Sequence, residues 1–155
     1  MKFTNSKTSE IFLNNQRYFV KRDDLLHSDF SGNKARKFYY FLKNDLKNIE
    51  KIISHGSNQS NAMYSLSVLC KLKNLKFDYY VSHLPDILSK NPNGNYKEAL
   101  KNGMNLIIGE VPTSFQENEL FIAEGGAIKE AKYGIEMLAN EIKSWAKEQN
   151  IEDKK

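Results

Sequence analysis

The chain has 155 residues, a length that suits a single domain with its own hydrophobic core, spanning residues 1–155. Its net charge of +4 comes from lysines spread among acidic residues, and this dispersal disfavours a nucleic-acid partner. No apolar run reaches the roughly 18 residues of a membrane span, and residues 1–16 lack the apolar core of a signal peptide. One cysteine excludes an internal disulfide framework, and three scattered histidines show no metal-ligand spacing. We therefore expect a cytoplasmic protein with no metal, membrane or nucleic-acid site.

The first predicted elements are a small hairpin and a helix. Residues 11–13 and 18–21 indicate short strands around Asn14-Asn15, because asparagine tolerates the left-handed angles of a tight turn. The segment 31–37 (SGNKARK) then opens a helix that is predicted to run to residue 47. In that segment Gly32 permits backbone angles closed to other residues, and Asn33 is the predicted N-cap.

Lys34 is the first candidate functional residue. It falls in the first turn of the predicted helix, near the positive end of the helix dipole and close to Arg36 and Lys37. Those positive charges favour the neutral amine, which is the form that attacks a carbonyl. Lys34 is therefore a candidate Schiff-base lysine. The alternative is a solvated lysine on a basic helix start.

Strands and helices alternate through the rest of the chain. Strands are predicted at residues 51–54, 77–81, 105–108 and 120–123, and helices at about 62–73, 96–102 and 128–145. A loop is predicted at residues 84–95, and the polar tail at 149–155 is expected to fray. The last helix carries a predicted apolar stripe, formed by Ile128, Ala131, Ile135, Leu138, Ile142 and Trp145.

The order of these elements predicts the fold class. Alternating strands and helices are typical of an α/β protein, here a three-layer, mainly parallel twisted sheet with helices on both faces. Ligands of such folds bind at the carboxyl ends of the strands, where loops meet helix N-termini. The Lys34 loop, the polar loop before Ser60 and the turn Glu124-Gly125-Gly126 are all predicted to lie there.

The polar loop at residues 54–61 (SHGSNQSN) is the second candidate site. Its side chains, and the free N–H groups of the helix that follows, suit a carboxylate, a phosphate or a phenolate oxygen. The loop lacks the Gly-x-x-x-x-Gly-Lys-Ser/Thr pattern of NTPases and the Gly-x-Gly-x-x-Gly pattern of dinucleotide-binding proteins. A solvated turn is the alternative for such a loop, and His55 fits an ordinary loop histidine at least as well as a catalytic one.

Four segments taken together resemble the 1-aminocyclopropane-1-carboxylate (ACC) deaminase and D-cysteine desulfhydrase family of pyridoxal phosphate (PLP) enzymes. The segments are residues 20–25 (VKRDDL), 31–37 (SGNKARK), 59–61 (QSN) and Glu124-Gly125-Gly126 with Gly134. Their order and spacing agree with the family over residues 18–142. The resemblance implies the PLP-dependent fold type II, which is the tryptophan synthase β-like fold. It also implies PLP as the cofactor and deamination or β-elimination of a small amino acid, of the ACC or D-cysteine type.

The same resemblance implies roles for individual residues. Lys34 is expected to hold PLP as an internal aldimine and to move protons afterwards. Asn61 is expected to bond the ring oxygen of the cofactor, and Asn33 to contribute to cofactor binding beside Lys34. Ser60 is expected to face the substrate, as the candidate nucleophile of the deaminase members. The cofactor acts as the electron sink, while the protein supplies position and charge.

The chain also departs from the family pattern. Gly56-Ser57-Asn58 replaces the usual Gly-Gly-x before Gln-Ser-Asn, and an arginine often found after that motif is absent. Family enzymes are about twice as long, and the Gly/Thr-rich loop that grips the cofactor phosphate lies in their second half. The chain therefore resembles the N-terminal half of such an enzyme, with a homodimer or a missing C-terminal half as the expected partner. The alternative is a catalytically inactive α/β fragment or binding module.

Overall fold

The chain begins with an antiparallel hairpin of β1 (Thr8–Leu13) and β2 (Gln16–Lys21) in a computed structural model that describes residues 3–30 and 32–151. Asn14 and Asn15 connect the two strands with φ angles of 50° and 61°, the left-handed values of the predicted tight turn. The hairpin is therefore confirmed. It forms a two-stranded sheet of its own, so the predicted strand at 18–21 does not join the parallel sheet.

Four strands form the central sheet: β3 (Lys51–His55), β4 (Lys76–Val81), β5 (Met104–Ile108) and β6 (Glu119–Ile122). Their spatial order is β5-β4-β3-β6, and every neighbouring pair is parallel. Side chains alternate along β4, so Phe77, Tyr79 and Val81 are buried while Asp78 and Tyr80 are only half-buried on the other face. The carboxyl ends of all four strands lie at one edge of the sheet, where the α/β pattern predicts ligand binding.

Helices flank this sheet: α1 (Gly32–Lys43), α2 (Asn61–Lys73), α3 (Asp86–Lys90), α4 (Gly94–Lys101) and α5 (Ala131–Glu148). Helix α2 packs on β3 and β4, and α4 packs on α2 and β5. Helix α1 packs on α2 and α5. The predicted α/β fold, with a parallel sheet flanked by helices, is confirmed. Its largest fully buried apolar side chains are Phe30, Phe38, Ile52, Met63, Leu66, Leu69, Tyr79 and Ile122.

Three predicted boundaries are wrong. Helix α1 ends at Lys43 instead of residue 47, and it already includes Gly32, so Asn33 lies in its first turn and is not its N-cap. Gly32 does adopt the expected positive φ, at 67°. The predicted loop at 84–95 contains α3, because Pro85 occupies the N-cap position and pre-sets a helix-compatible φ. Ser31, the first residue of the SGNKARK segment, lies outside the described residues.

Helix α5 buries a narrower face than the predicted stripe. Ala131 and Gly134 are buried, whereas Ile135 and Ile142 are 40% and 42% exposed, and Ile128 precedes the helix. A Cβ at Gly134 would lie 1.9 Å from the backbone oxygen of Arg36, so the missing side chain is what lets α1 and α5 approach. At the end of the helix, the backbone N–H groups of residues 150 and 151 donate to carbonyl oxygens of the last turn. Residues 152–155 lie outside the described residues.

A buried ion network joins the hairpin, α1 and α5. The side chain of Arg36 is 1% exposed and makes two bonds to each of two carboxylates. Its distances to Asp23 are 2.8 and 3.0 Å, and those to Glu141 are 2.7 and 2.9 Å. Lys21 also contacts Glu141, at 3.0 Å. Since these residues come from β2, the turn after it, α1 and α5, the network fixes the position of the helix that carries Lys34.

Candidate functional site

Lys34 lies in the first turn of α1 and reaches across to the segment that follows β6. Its Nζ atom donates to the backbone oxygen of Gly125 at 2.9 Å, and Lys37 donates to the same oxygen at 3.1 Å. Burial, and secondarily the charge of Lys37, lower the pKa of Lys34. A lowered pKa increases the fraction of neutral amine, which is the nucleophilic form. The direction of the pKa shift is the one that the sequence predicted, but its main cause is burial, and Arg36, whose charge is paired with Asp23 and Glu141, does not contribute.

The turn at Glu124–Gly126 receives both lysine amines. Gly125 and Gly126 adopt φ angles of 66° and 71°, which L side chains rarely reach. A Cβ at Gly126 would approach the ring of Phe38 in α1 to 2.7 Å, so the backbone of the turn lies directly against that helix. The turn also contacts α2. It follows that this turn lies between Lys34 and the polar loop that precedes α2.

On its other side the turn meets Gly56, at the carboxyl end of β3. A Cβ at Gly56 would lie 2.8 Å from both the Glu124 carboxylate and the Tyr79 hydroxyl, so these two groups converge on this glycine. Tyr79 donates to the backbone oxygen of Ser57 at 3.2 Å. Burial raises the pKa of Tyr79 to about 12, against the opposing effect of the Ser60 hydroxyl, so the phenol remains a donor. Glu124 was predicted only as part of a turn, and Tyr79 only as part of a strand.

Ser60 forms the N-cap of α2. Its hydroxyl oxygen accepts from the backbone N–H groups of Ala62 at 3.1 Å and Met63 at 3.4 Å. Capping satisfies two N–H groups that would otherwise lack a partner. The spacing of the apolar residues predicted this helix from about residue 62, but not the capping role of Ser60.

Asn61, the first residue of α2, is exposed at the same end of the helix. Its Oδ1 atom accepts from Nδ2 of Asn95, at the start of α4, at 2.8 Å. Asn33 is exposed in the first turn of α1, next to Lys34. Within residues 3–30 and 32–151, no hydrogen bond joins Lys34 directly to Ser60 or Asn61. The Glu124–Gly126 turn contacts both α1 and α2 and so links the two helices that carry these residues.

A cleft of about 470 Å³ opens at the carboxyl edge of the sheet. Its walls come from the ends of β3, β4 and β5 and from Glu124. The ring of His55 in this wall stacks on Phe121, with centroids 5.8 Å apart, and this packing favours a structural role for the histidine. A larger cavity of about 650 Å³ lies between the hairpin and α5, and none of its lining residues belongs to the polar loops. The smaller cleft lies where the fold predicts a ligand, but Lys34, Ser60 and Asn61 do not line it.

Two further classes of site are absent from the part of the chain that the structure describes. No cluster of three or more histidine, cysteine or acidic side chains there has the arrangement of a metal site. None of the described helices combines the length and the apolar character that crossing a membrane requires. Cys70 is buried, and burial raises the pKa of its thiol, so this cysteine packs as an apolar side chain.

Comparisons with known proteins give similarity at the level of structure. No protein family and no curated protein matches the sequence. The crystal structure of an ACC deaminase homologue is similar, with a TM-score of 0.72 and 22% identity over 92% of this chain and 50% of that chain. A hydrogen sulfide-producing enzyme from Fusobacterium nucleatum has a TM-score of 0.49 and 14% identity, over 92% of this chain and 40% of its own. The chain thus has the fold of the ACC deaminase homologue and spans half of its length.

Proposed function

We propose that the chain carries the cofactor-binding lysine of a PLP-dependent enzyme that acts on a small amino acid by deamination or β-elimination. One observation carries this proposal: the amine of Lys34 is half-buried, has a lowered pKa, and is held at a turn beside the carboxyl edge of a parallel sheet. The fold shared with the ACC deaminase homologue and the resemblance of the SGNKARK segment support it. A second copy of the chain, or a C-terminal half, is the proposed protein partner.

The residues around Lys34 fit PLP chemically. Lys34 would hold the cofactor covalently through Nζ, and Lys37 adds a second positive charge beside it, which suits a phosphate ester with about two negative charges. Asn61 would bond the ring oxygen of the cofactor, and Asn33 would contact it beside Lys34. Ser60, the N-cap of α2, would face the substrate. When bound, PLP supplies the electron sink, and the protein residues bind and orient the reactants.

A spectrophotometric titration with PLP tests this proposal. We expect a saturable absorbance change with the unsubstituted chain and its loss in Lys34→Ala, because only an amine that is neutral at the working pH attacks the aldehyde efficiently. Lys43→Ala is the matched control, since Lys43 is an exposed lysine at the other end of the same helix. Equal saturation in Lys34→Ala and the unsubstituted chain would remove the proposed role of Lys34.

Turnover of the 155-residue chain is expected to be slow or undetectable. PLP-phosphate binding depends on several oriented N–H donors, and the described residues around Lys34 include no Gly/Thr-rich loop of the kind expected from the resemblance. Without three or four charge-assisted hydrogen bonds, the affinity falls by at least about a thousandfold. The assay supplies PLP with ACC or D-cysteine and follows release of ammonia or sulfide. A rate equal to that of a full-length relative, and lost in Lys34→Ala, would show that this chain suffices for catalysis.

A further inference from the structure

The start of α4 fits closely against the Gln59–Asn61 segment. The Nδ2 atom of Asn95 donates to the backbone oxygen of Gln59 at 3.0 Å and to Oδ1 of Asn61 at 2.8 Å. Gln59 in turn donates to the backbone oxygen of Asn93 at 3.2 Å. A Cβ at Gly94 would lie 2.6 Å from the Gln59 side-chain oxygen, so only glycine leaves room for this contact. Asn95 itself is half-buried.

The two bonds from Asn95 fix the orientation of the Asn61 amide. A backbone carbonyl only accepts hydrogen bonds, so Asn95 must present its NH₂ group, and not its oxygen, to Gln59. The atom of the Asn61 amide that lies 2.8 Å from this NH₂ group must then be the oxygen, because two NH₂ groups at that distance would repel each other. The Asn61 oxygen therefore faces Asn95, and its own NH₂ group is directed elsewhere as a donor. The backbone oxygen of Gln59 therefore determines which atom is nitrogen and which is oxygen in both side-chain amides.

We propose that Asn95 is a positioning residue that holds the Asn61 amide in the orientation that donates to a bound cofactor. The inference rests on the proposed function, in which Asn61 contacts the ring oxygen of PLP. A donor at this position stabilises an anionic oxygen, whereas a reversed amide would place its own oxygen against that anion and repel it. Asn95 touches neither cofactor nor substrate in this role and acts only through Asn61.

Substitution of Asn95 by aspartate replaces the donor NH₂ group with an accepting oxygen and keeps the shape of the side chain. The carboxylate of Asn95→Asp cannot donate to Gln59, and it accepts from the NH₂ group of Asn61, which turns that group away from the cofactor. Asn95→Ala removes the hydrogen bond to Asn61, so the Asn61 amide is no longer held in either orientation. The matched control is Asn102→Ala, because Asn102 is also half-buried and also links α4 to α2, donating to Ser67 at 3.1 Å. Its bond is made at the end of α4 that is remote from Asn61.

Two properties of the PLP complex are measured for each variant: the apparent affinity, and the pH midpoint of the cofactor absorbance. We expect Asn95→Asp to weaken the affinity at least about tenfold and to raise the pH midpoint by about one unit, the equivalent of one lost hydrogen bond. The midpoint rises because a phenolate without its donor holds a proton more tightly. Asn95→Ala is expected to shift both values in the same direction but less, and Asn102→Ala to leave the midpoint unchanged.

Each other outcome has a distinct meaning. An unchanged affinity and midpoint in Asn95→Ala would overturn the inference while the proposed function stands, and so would an equal midpoint shift in Asn102→Ala. Chemical unfolding of Asn95→Ala and Asn102→Ala shows whether the two variants are equally stable, so that a shift confined to Asn95 is not a stability effect. Failure of the unsubstituted chain to bind PLP would overturn the proposed function and this inference together.

Discussion

Replacing Arg36 by alanine is expected to lower the free energy of unfolding by about 3–5 kcal/mol. The guanidinium is 1% exposed and makes paired bonds to Asp23 and Glu141, so its removal takes the main positive partner from two partly buried carboxylates and leaves Glu141 only Lys21. Without these bonds α1 would no longer be held against α5 and the hairpin. The start of α1, which carries Lys34, would lose its fixed position as well. Urea unfolding followed by circular dichroism measures the change.

Two comparisons make this prediction specific. Arg36→Lys keeps the charge but loses the paired geometry, so it should recover only part of the stability. Arg22→Ala removes an arginine that pairs with Asp24 at 2.7 Å on the exposed surface, and it is expected to change little. A loss in Arg36→Ala no larger than that in Arg22→Ala would show that the buried network does not hold these elements together.

Stability is expected to fall in acid as Glu141 becomes protonated. Burial alone would raise its pKa, but hydrogen bonds from Arg36, the Asn5 backbone N–H and Lys21 outweigh that effect and lower the pKa of Glu141 to about 2. An unfolded glutamate titrates near pH 4.3, so the folded state holds this proton less tightly. The stabilisation is therefore fully present above about pH 5 and is lost as the pH falls towards 2, and it amounts to about 3 kcal/mol.

The stability of Glu141→Gln relative to the unsubstituted chain isolates this effect from the titration of other carboxylates. The difference in unfolding free energy between the two should be largest near neutral pH and should shrink as the pH approaches 2. Glu136→Gln is the control on the same helix, because Glu136 is an exposed residue whose contact with Lys132 is at 3.5 Å. A difference between Glu141→Gln and the unsubstituted chain that stays constant with pH would contradict the lowered pKa.

Local features of the fold could be predicted because short-range physics decides them. Asn14-Asn15 identified the hairpin, since few residues other than glycine tolerate the angles of its turn. Gly32 and the apolar spacing after it located the start of α1. The strands of the central sheet were predicted to within two residues from their short apolar runs. In each case the information lies within a few neighbouring residues.

Features that depend on which element packs against a helix were predicted less well. The stripe through Ile135 and Ile142 has helical spacing, but the periodicity does not reveal which part of the stripe another element covers. Helix α5 packs on α1 at Gly134, and the two isoleucines are exposed. Helix α3 lies in the predicted loop at residues 84–95, which contains two prolines, but proline is well tolerated at the start of a helix and Pro85 occupies the N-cap position.

The organisation of the candidate site depends on contacts between distant parts of the chain. Lys34 and Gly125 are 91 positions apart, and Asn61 and Asn95 are 34 apart. The residue types and the motif singled out Lys34 and Asn61, but no local pattern indicates that Asn95 orients one or that Gly125 accepts from the other. Such pairs become visible only when the fold has brought the helix starts together.

Reduction with borohydride after addition of PLP, followed by peptide mapping, identifies the lysine that holds the cofactor, because reduction fixes PLP on that lysine. We expect label on the peptide that contains Lys34, in clear excess over peptides that contain exposed lysines such as Lys43. We also expect Lys34→Ala to lose that label without gaining it elsewhere. Label distributed evenly over the lysines, or retained at another lysine with the same yield in Lys34→Ala, would contradict the proposed role of Lys34.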